Sequence, residues 1–126
     1  MPSHERGPNR RVLLVEDDRA NLYAMGHMLK AAGFDVVEAE SADEAVERLS
    51  PASPPACVVL DWLIPGGGDA VVRHVRENAL PTRIVVVTVA YEERLDEISA
   101  ARPDAVFRKP FDSAELLRMV TGGKGR

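Results

Sequence analysis

Apolar positions along this chain fall into two rhythms that take turns. Short unbroken runs of Val, Leu and Ile are followed by stretches in which apolar residues return every three or four positions. That alternation predicts strands buried on both faces and helices packed over them, the pattern of an α/β protein built on a parallel sheet. Five strand–helix units can be counted. The first strand is expected over residues 11–16 (RVLLVE), followed by a helix on which Leu22, Met25, Leu29 and Ala32 share a face and which Gly33 stops. A short second strand near residues 34–38 leads to Ser41-Ala42-Asp43-Glu44. There Ser and Glu at three-residue spacing predict a capping box for a helix that ends before Pro51. The runs at 56–61 and 83–88 show no polar alternation and are expected at the centre of the sheet. Helices are expected near 69–78 and 92–101, then a fifth strand near 105–108. Asp112 or Ser113 should cap a last helix carrying Leu116, Leu117 and Val120.

Composition narrows this further. Of the 126 residues, a polar start (1–10) and a Gly-rich end (122–126) read as tails, the first of them disordered, which leaves residues 11–121 for a single domain. At 45% hydrophobic content that domain can bury a core without disulfide or structural metal. Sixteen Lys and Arg against 20 Asp and Glu give a net charge of −4, so no cationic surface for direct nucleic-acid binding is expected. The apolar runs are too short for membrane insertion, and the charged, Pro-containing start does not resemble a secretion signal, so a cytoplasmic location is expected. The one cysteine, Cys57, and three scattered His form neither a disulfide nor a zinc cluster.

In open parallel sheets ligands bind beyond the carboxyl ends of the strands, so those ends carry the candidate chemistry. The first strand ends in Glu16-Asp17-Asp18, the third in Asp61, the fourth in Thr88, and the fifth runs into Lys109-Pro110. Each has an ordinary reading by itself: Asp18 as a helix cap, Asp61 as a turn residue, Thr88 as a β-branched strand residue, Lys109 as a solvated charge. Their joint placement at the ends of four strands changes the picture. Glu16, Asp17 and Asp61 brought together would repel one another, which calls for raised pKa values or a cation. An all-oxygen site with few carboxylates suits Mg²⁺, and with an ammonium and a hydroxyl beside it the site can hold a phosphoryl group. Asp61 is then a candidate nucleophile forming an acyl phosphate, with Lys109 neutralising charge and Thr88 donating its hydroxyl to the arrived group.

The motifs VLLVEDD, VVLDWLIPG, VVVTVA and FRKPF, in that order, give the chain a resemblance to the receiver domains of two-component response regulators. The resemblance implies a doubly wound (βα)5 flavodoxin-like sheet of strand order 2-1-3-4-5. It implies Asp61 as phosphoacceptor from a sensor histidine kinase or histidine phosphotransfer protein. Mg²⁺ would be held by Asp17, Asp61 and the carbonyl of Leu63, with Glu16 acting through water. Lys109 and Thr88 would contact the phosphoryl group, and the Lys109-Pro110 bond would be cis. Such a domain is an acceptor rather than a turnover enzyme.

Four positions depart from the family pattern. Val106 stands where an aromatic switch residue is usual, with Phe107 beside it, so no inward ring flip is expected. Val89 is bulky where a small residue usually leaves the acceptor open. The loop after Pro65 is one residue short, with Gly68 the counterpart of the usual glycine, and Arg102-Pro103 replaces a common Gly-Ala. Val89 and Val106 motivate an alternative, a pseudo-receiver that binds partners without phosphorylation. A small-ester phosphohydrolase is disfavoured, because Leu63 stands where such enzymes place a second Asp. Leu63 and Ala90 cannot orient a water, which predicts slow dephosphorylation. With no effector segment after the last helix, output is expected through a separate protein or through self-association, and the resemblance implies the face formed by the fourth helix, fifth strand and fifth helix as the contact surface.

Overall fold

The computed structural model describes residues 9–122. Its elements run β1 (Arg11–Val15), α1 (Arg19–Ala31), β2 (Asp35–Ala39), α2 (Ala42–Arg48), β3 (Cys57–Asp61), α3 (Gly68–Glu77), β4 (Arg83–Thr88), α4 (Tyr91–Ala101), β5 (Ala105–Arg108) and α5 (Ser113–Val120). All strand pairs are parallel, in the order β2-β1-β3-β4-β5. The expected tails at 1–10 and 122–126 fall, apart from residues 9, 10 and 122, outside the described residues. Asn9 and Arg10 are tied down: Asn9 Nδ2 donates to the Pro54 carbonyl at 3.0 Å, and Arg10 Nε to that of Gly33 at 2.8 Å.

Alternate side chains of each inner strand enter opposite core layers, as the period of two requires. Leu13, Val15, Val58, Leu60, Ile84 and Val86 pack with α2, α3 and α4; Val12, Leu14, Cys57, Val59, Val85 and Val87 pack with α1 and α5. Because both faces are covered, β3 and β4 have no polar alternation to show. Burial pushes the Cys57 thiol up to about 12, from near 9 when exposed. The folded state therefore holds that proton after the unfolded chain has lost it, so stability falls as pH climbs from 9 towards 12. The advantage of the wild type over Cys57→Ala should shrink by about 1.4 kcal/mol per pH unit above that point, measured by denaturant unfolding.

Helix ends follow local chemistry. Asp18 caps α1, its carboxylate accepting from the Asn21 amide at 3.0 Å. Of the two candidates for α5 the structure uses Asp112, whose Oδ1 accepts from the amides of Ala114 and Glu115. At α2, Ser41 Oγ accepts from the Glu44 amide at 3.1 Å. The return bond runs from the Glu40 amide to Glu44 rather than from Ser41, so the capping box is displaced by one residue.

Both α1 and α3 end in the same pair of bonds. Phe34 N–H reaches Leu29 and Gly33 N–H reaches Lys30; Leu80 N–H reaches Val75 and Ala79 N–H reaches Arg76. This is the Schellman arrangement, which needs a left-handed residue before the last donor. Gly33 supplies it freely at φ 96°, whereas Ala79 is held there at φ 51°. Ala79→Gly should stabilise the protein by about 0.5–1 kcal/mol, read as a raised denaturation midpoint.

Candidate functional site

Strand ends bring the predicted residues to one rim. Glu16 follows β1, its backbone N–H bonded to the Ala39 carbonyl at 3.0 Å, and Asp61 closes β3 beside it. Since β1 lies between β2 and β3, this is where the sheet's winding reverses, and the crevice there is the general ligand site of such sheets. Glu16 is 1% exposed, Asp61 8% and Thr88 0%, burial that ionic and polar groups tolerate only with partners.

Lys109 is the first partner. It leaves β5 at the cis Lys109–Pro110 peptide, and its backbone N–H is bonded to the Thr88 carbonyl at 3.0 Å. Its Nζ lies 2.9 Å from Glu16 Oε1 and 3.2 Å from Asp61 Oδ2. The backbone supplies the rest: the Asp18 amide donates to Glu16 Oε2 at 3.1 Å and the Leu63 amide to Asp61 Oδ1 at 3.1 Å. Thr88 Oγ1 accepts from the Ala90 amide at 3.0 Å. Burial raises the Glu16 carboxyl above the ordinary glutamate range, against the hydrogen bonds from Lys109 and Asp18 and with help from Asp61. Burial also works to lower Lys109, but the Glu16 hydrogen bond and the charges of Asp61 and Glu16 outweigh it and raise the ammonium.

The donor set fits a divalent cation. Glu16, Asp17 and Asp61 each offer a carboxylate oxygen, all within 4.8 Å of one another, and Asp17 is exposed and opens the group to solvent. Three ionised carboxylates and one ammonium leave two negative charges, which is the charge of one hard dication taking oxygen ligands.

Among the remaining candidates, Leu63 is placed by its amide, while its side chain is exposed. Trp62 is buried beneath the loop after β3, where its carbonyl accepts from the Gly68 amide at 3.0 Å. Val89 is 65% exposed and, with Met25, Lys109, Pro110 and Phe111, lines a shallow cavity of about 500 Å³ beside the acids. Val106 packs towards the α3 and α4 layer, whereas Phe107 faces the opposite layer with its ring 6.4 Å from that of Phe111. No aromatic ring of β5 therefore stands on the Val106 side. His27 stacks on exposed Tyr23 and His74 Nε2 lies 3.4 Å from the Leu49 carbonyl, so both have partners of their own. Sequence reading missed the Ala90–Thr88 bond and the contacts of Arg108 described below; neither leaves a local pattern.

A five-stranded flavodoxin-like fold with an acidic, lysine-bridged pocket at its winding reversal defines a CheY-like single domain. The chain belongs to the response regulator receiver domain family of two-component systems, which it matches over residues 12–121. It is 33% identical over 115 residues to the phosphate regulon transcriptional regulatory protein PhoB of Escherichia coli strain K12, covering 88% of this chain and 50% of that one. A cyclic di-GMP phosphodiesterase of Thermotoga maritima is 40% identical over 111 residues, 86% of this chain and 29% of that protein. The chain thus spans about half or less of the length of these curated relatives. The receiver domain of a Pseudomonas aeruginosa PAO1 sensor histidine kinase, solved with a magnesium ion coordinated in the active site cleft, superposes with TM-score 0.79 at 25% identity. That match covers 91% of this chain and 97% of that one. Among the described residues, no helix is long and apolar enough to cross a membrane.

Proposed function

We propose that this chain is a phosphoacceptor: Asp61 takes a phosphoryl group from a phosphohistidine on a sensor histidine kinase or histidine phosphotransfer protein, with Mg²⁺ required. The observation that carries this is the Lys109 ammonium held on Asp61 Oδ2 at 3.2 Å beside a carboxylate cluster of fitting charge. In the transfer an Asp61 oxygen bonds to phosphorus while the donor's phosphorus–nitrogen bond breaks, and the departing imidazole nitrogen takes up a proton. Asp17, Asp61 and the Leu63 carbonyl would hold the Mg²⁺, with Glu16 acting through water. The ion would screen the charge of the incoming phosphoryl group. Lys109 moves its hydrogen bond from the carboxylate to the arriving group, and Thr88 turns its hydroxyl towards it.

Leu63 and Ala90 flank the acceptor without a group to orient water, so the acyl phosphate is long-lived and the domain turns nothing over. Output runs through the face of α4, β5 and α5 to a downstream protein in the cytoplasm, with no nucleic acid or membrane bound directly. The alternative of a phosphorylation-independent pseudo-receiver finds no support in the site, because the acceptor, acids, hydroxyl and amine are all in place. Incubation with Mg²⁺ and acetyl phosphate should add the mass of one phosphoryl group to the wild type and none to Asp61→Asn. No gain in the wild type, an equal gain in the variant, or loss of the label within seconds would contradict the proposal.

A further inference from the structure

The start of α4 is held by unusual means. The helix buries only Ile98, and its cap residue Ala90 brings no side-chain acceptor. Two contacts from neighbouring strands stand in. The Ala90 amide is bonded to Thr88 Oγ1 at 3.0 Å. Arg108, which faces Thr88 in the β4–β5 register, lays its guanidinium 5.2 Å from the centre of the Tyr91 ring and 3.0 Å from Glu92 Oε2. Tyr91 and Glu92 are the first residues of α4. So the hydroxyl expected to meet a phosphoryl group and the guanidinium that grips α4 occupy paired positions on adjacent strands. Val106, at the position that faces Val86, packs into the core and contacts nothing of this kind.

We propose that Arg108 is a latch on α4, closed in the unphosphorylated domain and opposing the phosphorylated one; the second half rests on Asp61 being the acceptor. Drawing the Thr88 hydroxyl towards a group on Asp61 lengthens its bond to Ala90, and the first turn of α4 then shifts away from β5. That shift breaks the stacking on Tyr91 and the pair with Glu92. An interaction made in only one of two states favours that state by its own free energy, and the coupling is reciprocal. The ion pair is exposed, its side chains 59% and 65% accessible, so the effect is modest: a cation–π contact plus one exposed pair shifts the equilibrium by about fivefold.

The experiment uses the full chain with Mg²⁺ and beryllium fluoride as phosphoryl mimic, comparing wild type, Arg108→Ala and Arg108→Lys. Without mimic, hydrogen exchange at the Ala90 and Arg94 amides should be faster in Arg108→Ala by about fivefold. Mimic affinity should rise by a similar factor, with Arg108→Lys intermediate because it keeps the charge but not the planar stack. A merely structural residue, when removed, would not tighten binding at a pocket it does not touch. Unchanged exchange in Arg108→Ala overturns the latch, and unchanged or weaker mimic affinity overturns its opposition to the phosphorylated state. Mimic binding to none of the three would instead sink the acceptor assignment, leaving the exchange comparison to decide whether the latch exists.

Discussion

Replacing Lys109 by Met should slow phosphorylation of Asp61 by about 100-fold or more, the usual loss on removing one preorganised electrostatic group from a transfer site. The same substitution should tighten Mg²⁺ binding. The ammonium sits 2.9 and 3.2 Å from two of the carboxylates that would serve the ion, so it competes for their charge. At an effective dielectric of 20 an ammonium about 5 Å from a dication repels it by roughly 7 kcal/mol, and screening by solvent leaves a gain of about tenfold in affinity.

Stability gives a third readout. Without the ammonium, buried Glu16 loses its hydrogen-bonding cation, and its already raised pKa rises further. A raised folded pKa means that the native state keeps a proton the unfolded chain releases, so stability is lost as pH climbs above 4.5, the ordinary glutamate value. Lys109→Met should therefore be close to wild type at acid pH and about 3 kcal/mol less stable near neutrality, with Mg²⁺ restoring part of the difference. Denaturant unfolding at both pH values, with and without the ion, measures this. Phosphorylation at the wild-type rate would remove Lys109 from the chemistry.

Gly68→Ala should be strongly damaging in the loop after Asp61. A Cβ built on Gly68 comes 2.7 Å from Trp62 Cε3 and 3.0 Å from Trp62 Cα. The side chain it meets is large and buried, and the backbone it meets follows Asp61 directly, so neither can yield cheaply. The loop is held tightly: Gly68 N–H is bonded to the Trp62 carbonyl at 3.0 Å and Gly67 N–H to that of Ile64 at 2.9 Å. Overpacking of this kind costs about 3 kcal/mol, or about 10 °C in the melting temperature of a domain this size. Because the strain bears on the residue after Asp61, phosphorylation should fall together with stability. An unchanged melting temperature in the variant would show that Trp62 yields to the added methyl group at no cost.

The strands were legible because β3 and β4 are buried on both faces and so carry unbroken apolar runs, and because the acids sit at their ends, where position alone implies convergence. Element boundaries differ by a residue, as at Glu16, which the apolar run places in the first strand but which follows it in the fold. The lysine bridge was not legible as a contact: its partners lie 93 and 48 residues away, and only the fold makes them neighbours. The left-handed ends at Ala79 and Arg102 escaped because neither residue is a Gly or Asn that would announce them. The Arg108 contacts escaped for a related reason, since an arginine beside a lysine reads as surface charge until the strand register sets it against α4.

The lysine's late place in the chain also bears on biogenesis. A ribosome delivers all three acids by residue 61 and withholds the Lys109 ammonium, which pairs with two of them, until after β4 and α4 have emerged. For the length of that interval the half-made sheet must either leave its carboxylates in water or borrow a counter-charge from the cell's dissolved cations. The Lys109 ammonium, which follows β5, thus arrives late and cancels one of the three negative charges, leaving the other two for a dication to balance.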